Sequence, residues 1–258
     1  MTGDVDLAGR QVSAETKALV RNPLSAVFTL AFPVLFLVIF GSLNSGAELQ
    51  DRGGIRFIQF YVPGIIAFAI IGACFVNLAI RVAVLRDDGV LKRIRGTPLP
   101  PSAYLAGHFG ASVLVSALLT IVTTGVGVLF YDVRFRSATI PGLLAALVLG
   151  ATCFCSLGVA LTGFIPNGDA APAVVNIVSL PLLFISGIFF PAEAAPAWMR
   201  AIAKAFPVQH FANALQVAFD PRTPGPGFSG TDLAVLAGWT VVGTAAALRW
   251  FRWERRSA

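Results

Sequence analysis

Long stretches without a single charged side chain, rather than any catalytic signature, fix what this chain can fold into. No Asp, Glu, Lys or Arg occurs in residues 22–47, 57–80, 96–131, 138–165, 171–191 or 233–248. A hydrocarbon core of about 30 Å needs roughly 20 apolar residues in a helix that crosses it. The runs therefore predict an all-α polytopic membrane protein with six spans: 24–43, 57–80, 103–130, 138–165, 171–191 and 233–251. The last run is the short one. Residues 233–248 reach about 24 Å at 1.5 Å per residue, so this span must continue through Arg249. The long stem of Arg249 lets its charge snorkel to the interface, with Trp250 and Trp253 at the headgroups.

Composition agrees with this reading. Hydrophobic residues make up 56% of the 258 residues and charged residues 12%, against about 25% charged in a soluble domain. Mean hydropathy is +0.78 and the pI about 9.8. The basic residues lie mostly beside spans, so the high pI marks membrane topology and not a nucleic-acid partner. With the N-terminus cytoplasmic, 12 of the 19 Lys and Arg residues fall on the cytoplasmic side. That bias predicts both termini inside. The first apolar run follows a polar stretch of about 22 residues and is too long for the apolar core of a signal peptide.

Two segments beside the spans carry their own patterns. Residues 10–22 place Val12, Leu19 and Val20 among Arg10, Lys17 and Arg21, which predicts a short interfacial helix. Residues 192–232 hold two apolar series at helical spacing, Trp198 to Phe206 and Val208 to Phe219, bounded by Pro196 and Pro207. Each is too short to cross the bilayer. They predict short external or re-entrant helices between the fifth and sixth spans, followed by a turn-rich loop from Pro221 to Gly230.

Enzymatic chemistry has little to stand on. The phosphate-binding sequence G-x-x-x-x-G-K-[ST] is missing, so ATP hydrolysis by that route is not expected of this chain. No acidic residue lies within a span, which weakens ion-coupled transport. His210 has no acidic partner visible in sequence. Cys74, Cys153 and Cys155 sit in apolar runs without metal-ligand spacing and read as packing residues. No metal site and no cofactor of this chain's own is expected.

What remains is a charged island between two charge-free runs. Residues 81–95 gather Arg81, Arg86, Lys92, Arg93 and Arg95 against Asp87 and Asp88. Gly89 and Gly96 supply backbone freedom and Pro98, Pro100 and Pro101 stiffen the exit. Val90–Arg95 fits a short helix with Leu91 and Ile94 on one face. An ordinary basic cytoplasmic loop explains the charge, but not the order of acid pair, glycine, short amphipathic helix and Thr97-Pro98. The pattern predicts an ordered surface, 81–102, that receives a cytoplasmic partner.

Four stretches resemble the type-2 ATP-binding-cassette (ABC-2) permeases, above all daunorubicin-resistance-type drug-export subunits. They are Glu15-Thr16-Lys17 through Asn22-Pro23 into Phe32-Pro33-Val34-Leu35-Phe36; Tyr61-Val62-Pro63-Gly64; Arg86-Asp87-Asp88-Gly89-Val90-Leu91-Lys92-Arg93 with Thr97-Pro98-Leu99; and Phe184-Ile185-Ser186-Gly187-Ile188-Phe189-Phe190-Pro191 with Trp198 and Pro207. Asp87 stands where many members have Glu. The resemblance implies a single ABC-2 transmembrane domain over 1–258, in a bacterial inner membrane. It implies a dimer with a second copy or a paralogue, embedded in membrane lipid. Nucleotide-binding subunits would carry the ATP and Mg. Coupling to that ATPase would fall on Arg86, Asp87, Gly89, Leu91, Lys92, Arg93, Ile94, Arg95, Thr97 and Pro98. The second and fifth spans would line the path, with Phe75, Asn77, Asn176, Phe184 and Phe189 as candidates to face it. The expected activity is export of an amphipathic drug, a lipid or a related hydrophobic compound. Export of a polysaccharide or other cell-envelope precursor, and an integral membrane enzyme acting on lipid, are the competing readings.

Overall fold

The computed structural model describes residues 23–44, 46–49, 54–96, 101–189 and 195–251, and for 23–28, 94–95 and 101–106 the backbone only. The expected interfacial helix at 10–22, together with Thr97, Pro98 and Phe190-Pro191, lies outside the described residues.

The described chain is almost wholly helical. Helix α1 (Pro23–Leu43) is followed by a two-stranded antiparallel hairpin, β1 (Glu48–Leu49) with β2 (Ile55–Arg56). Helix α2 (Phe57–Ile71) passes through a π-helical turn (Gly72–Asn77) into α3 (Leu78–Asp87), and α4 (Val90–Arg95) follows at once. Helices α5 (Pro101–Tyr131) and α6 (Ile140–Thr162) come next, with a 3₁₀ turn at Ser137–Thr139 between them. Then come α7 (Ala171–Ile185), α8 (Ala197–Ala205), α9 (Pro207–Phe219) and α10 (Gly230–Trp250). Among the described residues four helices are long and apolar enough to cross a membrane: Phe57–Asp87, Gly107–Tyr131, Ser137–Thr162 and Gly230–Trp250. Two shorter apolar helical segments, Thr29–Leu43 and Ala171–Ile185, accompany them.

Helices α2 and α6 form the centre. Tyr61, Val62, Ile65, Ile66 and Ile70 of α2 are fully buried, as are Ala146, Ala151 and Cys153 of α6. Packing between membrane helices favours small residues at the contacts, because they let backbones approach closely. A Cβ on Gly64 would overlap the carbonyl oxygen of Ile188, so α2 runs directly against the turn that follows α7. Helix α10 lies along α6, and α9 wedges between α2, α6 and α10 with Phe211, Ala212 and Leu215 fully buried. Pro196 and Pro207 stand at the starts of α8 and α9, where a missing N–H costs nothing.

Two helix ends and one hairpin differ from the sequence expectation. The helix that carries the second span does not stop near residue 80; it continues to Asp87, which puts Arg81 and Arg86 on its last turns and not in a loop. A cationic side chain marks where lipid ends, not where a helix must end. The fifth helix stops at Ile185 instead of reaching 191, because Ser186 and Gly187 (φ +78°) turn the chain. The hairpin at 48–56 was not anticipated.

The two ends of the helical body are distinct. At one, Gln59 donates to the carbonyls of Arg134 (2.8 Å) and Phe219 (2.7 Å) and accepts from the Arg134 N–H (2.9 Å). This ties the start of α2 to the α5–α6 connection and the end of α9. At the opposite end sit the α3–α4 corner, the α6–α7 connection and the end of α10.

Candidate functional site

The α3–α4 corner is built by one glycine and two charged side chains. Asp88 keeps a helical conformation and Gly89 turns left-handed at φ +70°, its N–H bonded to the Arg86 carbonyl at 3.1 Å. A side chain at that φ is strained. Residue 93 restarts the helical bonding by donating to the Gly89 carbonyl at 3.2 Å. The result is a tight corner with no loop to flex.

Arg86 is only 4% exposed and turns inward. Its guanidinium donates to the carbonyls of Thr162 (2.8 Å) and Ile165 (2.7 Å), the last turn of α6 and the residues just beyond it. Cations are stabilised at a helix C-terminus, where carbonyls lack intrahelical partners. Next to it, Asp87 Oδ2 accepts from the Gly168 N–H at 2.6 Å, and Oδ1 lies 3.8 Å from Arg86 Nε. The short aspartate arm reaches the α6–α7 connection. Two consecutive residues thus fasten the end of α3 to both ends of the 162–168 segment.

Leu91 is fully buried. It seats α4 in a satellite core with Leu78 and Val82 of α3, Cys155 and Val159 of α6 and Ala247 of α10. Asp88, Lys92 and Arg93 face outward. The candidate residues therefore divide by position: Arg86 and Leu91 inside, Asp87 and Gly89 at the turn, Lys92 and Arg93 on the surface. For Ile94 and Arg95 the backbone alone is described, on α4.

The path candidates divide as well. Asn77 and Asn176 come together in the wall of a groove of about 520 Å³ between α1, the α2 π turn and α7. Phe68 lines it too, and its ring meets Phe189 (centroids 5.4 Å apart), which in turn meets Phe184 at 5.4 Å. Phe184 is 61% exposed. Phe75 is elsewhere: it is buried and lines a second, apolar cavity of about 290 Å³ shared by α6, α7 and α10, with Phe154 and Trp239.

Residues 11–219 match the ABC-2 type transporter family. The chain belongs to that family. It is similar to the daunorubicin resistance ABC transporter permease protein DrrB1 of Streptomyces coeruleorubidus, 29% identical over 89% of this chain and 80% of that one. It is also similar to the inner membrane transport permease YadH of Escherichia coli, 25% identical over 75% of this chain and 76% of the relative. The putative transport permease YvfS of Bacillus subtilis is 25% identical over 79% and 82% respectively. This ABC-2 family chain is an integral membrane permease of an ABC transporter, and membership of the family implies an ABC ATPase in the complex.

Sequence reasoning missed several contacts of this permease. His210 does have an acidic partner: Nδ1 lies 2.6 Å from Asp232 Oδ1, and Nε2 lies 2.9 Å from the Lys204 carbonyl. Asp232 also accepts from Ser229 Oγ in the first turn of α10, where a carboxylate is favoured. The partners are 22 residues apart in sequence, so no local spacing reveals them. Gln59 was detectable in principle as a lone amide at the head of an apolar run. Ser179, 3% exposed in the wall between the two cavities, carried no signal at all.

Proposed function

We propose that this chain is the membrane-spanning subunit of an ATP-driven exporter that moves an amphipathic drug, lipid or related hydrophobic compound. A separate nucleotide-binding subunit, carrying ATP and Mg, docks on α4 through Lys92, Arg93 and their neighbours. On this reading six spans place both termini and the α3–α4 corner in the cytoplasm, α8 and α9 lie on the outer side, and two permease copies or paralogues face each other. Arg95, Ile94, Thr97 and Pro98 belong to the same docking surface.

One observation carries the proposal. The corner that presents Lys92 and Arg93 is fastened by Arg86 and Asp87 to the segment joining α6 and α7. The α2–α3 wall of the groove is thereby fastened to the segment that leads into its other wall, α7. A displacement of α4 reaches the satellite core through Leu91 and reaches both groove walls through the corner. Surface contact and path are thus mechanically joined within one chain.

The groove supports the substrate class. Its lining is mostly apolar and aromatic, which suits a hydrophobic or amphipathic compound better than a hydrated polysaccharide. A lipid-processing enzyme generally carries clustered acids or histidines at its site; among the described residues no group of three or more His, Cys, Asp or Glu is placed to hold a metal ion, and His210–Asp232 is an isolated pair.

Affinity purification of the tagged permease from its native membranes tests the proposal, with ATP hydrolysis in the eluate as readout. Co-eluting ATPase activity is expected and should be lost with Lys92→Glu/Arg93→Glu, whose exposed positions leave the fold intact. Transport by permease alone, or ATPase recovery indifferent to every α4 substitution, refutes it.

A further inference from the structure

The groove between α1, α2 and α7 is not uniformly greasy: Thr29, Asn77, Asn176 and Ser179 all line it. Asn77, Asn176 and Ser179 lie in the wall with Phe68 and Leu183, and no Asp, Glu, Lys, Arg or His is among the described residues lining it. Nor does the side chain of any of the three make a hydrogen bond among the described residues. Unpartnered side-chain amides and a hydroxyl in an apolar cleft are open to a ligand's own donors and acceptors. A bare charge entering the same cleft finds no counterion, and desolvation then opposes it strongly.

We infer that the groove selects uncharged amphipathic molecules bearing hydroxyl, carbonyl or amide groups, with Ser179 as the residue that distinguishes a loaded groove from an empty one. The inference rests on the proposed reading of the groove as the export path, and narrows it to a substrate class.

Ser179 is the decisive side chain. It is 3% exposed, its Oγ has no partner, and it stands in the wall shared with the second, apolar cavity. A buried hydroxyl without a partner destabilises the arrangement that holds it. The hydroxyl gains a partner when α7 shifts and a ligand's polar group reaches it. A ligand shifts an equilibrium only by its differential affinity for the two states. Ser179 supplies such a difference: it weakens the empty state and strengthens the loaded one. Removing it should move stability and affinity in opposite directions, which a serine of merely structural role would not do.

The test uses the full-length permease with whatever ATPase subunit co-purifies, in nanodiscs of phosphatidylethanolamine and phosphatidylglycerol. Two dansyl probes share one alkyl chain; one ends in a hydroxyethyl amide and the other in trimethylammonium. Saturable binding is taken as the difference from Asn77→Trp, which fills the groove from an exposed position. The neutral probe is expected to bind at least about tenfold tighter than the cationic one. Ser179→Ala should weaken the neutral probe roughly threefold to tenfold, the worth of one neutral hydrogen bond, while Tm stays level or rises. Asn176→Leu should weaken the neutral probe by a similar factor.

Equal binding of both probes, each abolished by Asn77→Trp, overturns the substrate class and leaves the groove as path. Binding indifferent to Asn77→Trp overturns the path reading and the inference with it. Absence of saturable binding of the neutral probe, or a Ser179→Ala variant with lower Tm and unchanged affinity, overturns the inference directly.

Discussion

Arg86 offers the sharpest test of the corner. Its guanidinium makes two bonds to main-chain carbonyls, at 2.8 Å to Thr162 and 2.7 Å to Ile165. Hydrogen bonds to a charged group contribute about 1.5–3 kcal/mol each. Against that stands the desolvation of a buried cation, which is recovered when the charge is removed. Methionine keeps most of the apolar stem and volume and abolishes both donors. Arg86→Met is therefore expected to destabilise the permease by about 2–4 kcal/mol, for a fall in Tm of roughly 5–15 °C. Arg86→Lys keeps the charge near Asp87 but offers a point donor in place of a fork, so it satisfies one carbonyl and costs about half as much. Thermal unfolding of the purified protein gives the magnitude, and hydrogen exchange gives the place: protection should be lost first at 162–168 and in α4. The two readouts together separate a local clasp from general packing. An Arg86→Met protein with unchanged Tm and unchanged exchange at 162–168 refutes the clasp.

Other substitutions follow from the same geometry. Gly89→Ala places a Cβ in open space but at φ +70°, so its cost is conformational alone, about 1–2 kcal/mol by thermal or chemical unfolding; Gly89→Asn, which tolerates that region, should cost less. Gly64→Ala drives a Cβ into the Ile188 carbonyl oxygen and should lose about 1–3 kcal/mol or more, with α2 forced off the turn after α7. Gln59→Leu leaves the Arg134 N–H and the carbonyls of Arg134 and Phe219 without their partner, an expected loss of about 2–4 kcal/mol, read as early exchange at 132–136. His210→Phe breaks the tie from α9 to α10, and limited proteolysis should then cut the 220–230 connection faster than in the parent.

Much of the architecture was legible because the bilayer writes it as charge-free runs. The short helices at 197–205 and 207–219 were legible for another reason, the pairing of a proline start with apolar spacing of helical period. Val90–Arg95 was readable as a short helix with Leu91 and Ile94 on one face; that Leu91 is buried is the structure's addition. What the sequence withheld was long-range or a matter of helix phase. Arg86 read as a surface charge because nothing in its neighbourhood announces the carbonyls of Thr162 and Ile165. The π turn at 72–77 has the composition of ordinary helix. Asn77 and Asn176 meet in one groove while Phe75, two residues from Asn77 and so on another face of the helix, lines another cavity; a charge-free run does not say which face meets which neighbour.

The same π turn bears on how a push at α4 would be used. Arg86 and Asp87 clamp α3 to the 162–168 segment, so the two groove walls cannot part at that end without breaking three short bonds. Under the proposed reading the corner tilts as one body. Separation must then occur further along, where helical bonding is already compromised. In the α2–α3 helix that place is Gly72–Asn77, since π turns interrupt the regular ladder and often mark functional positions. In α7 it is Pro181, which cannot donate to the preceding turn. Both lie beside the groove: Gly72, Ala73 and Asn77 line it from one side and Ser179, Leu180 and Leu183 from the other. On that reading, a stiff corner with two soft points at groove height would convert displacement of a surface helix into a change of groove width. Straightening α7 with Pro181→Ala should therefore leave ATPase docking at α4 intact while uncoupling hydrolysis from export, whereas loosening the corner should impair both.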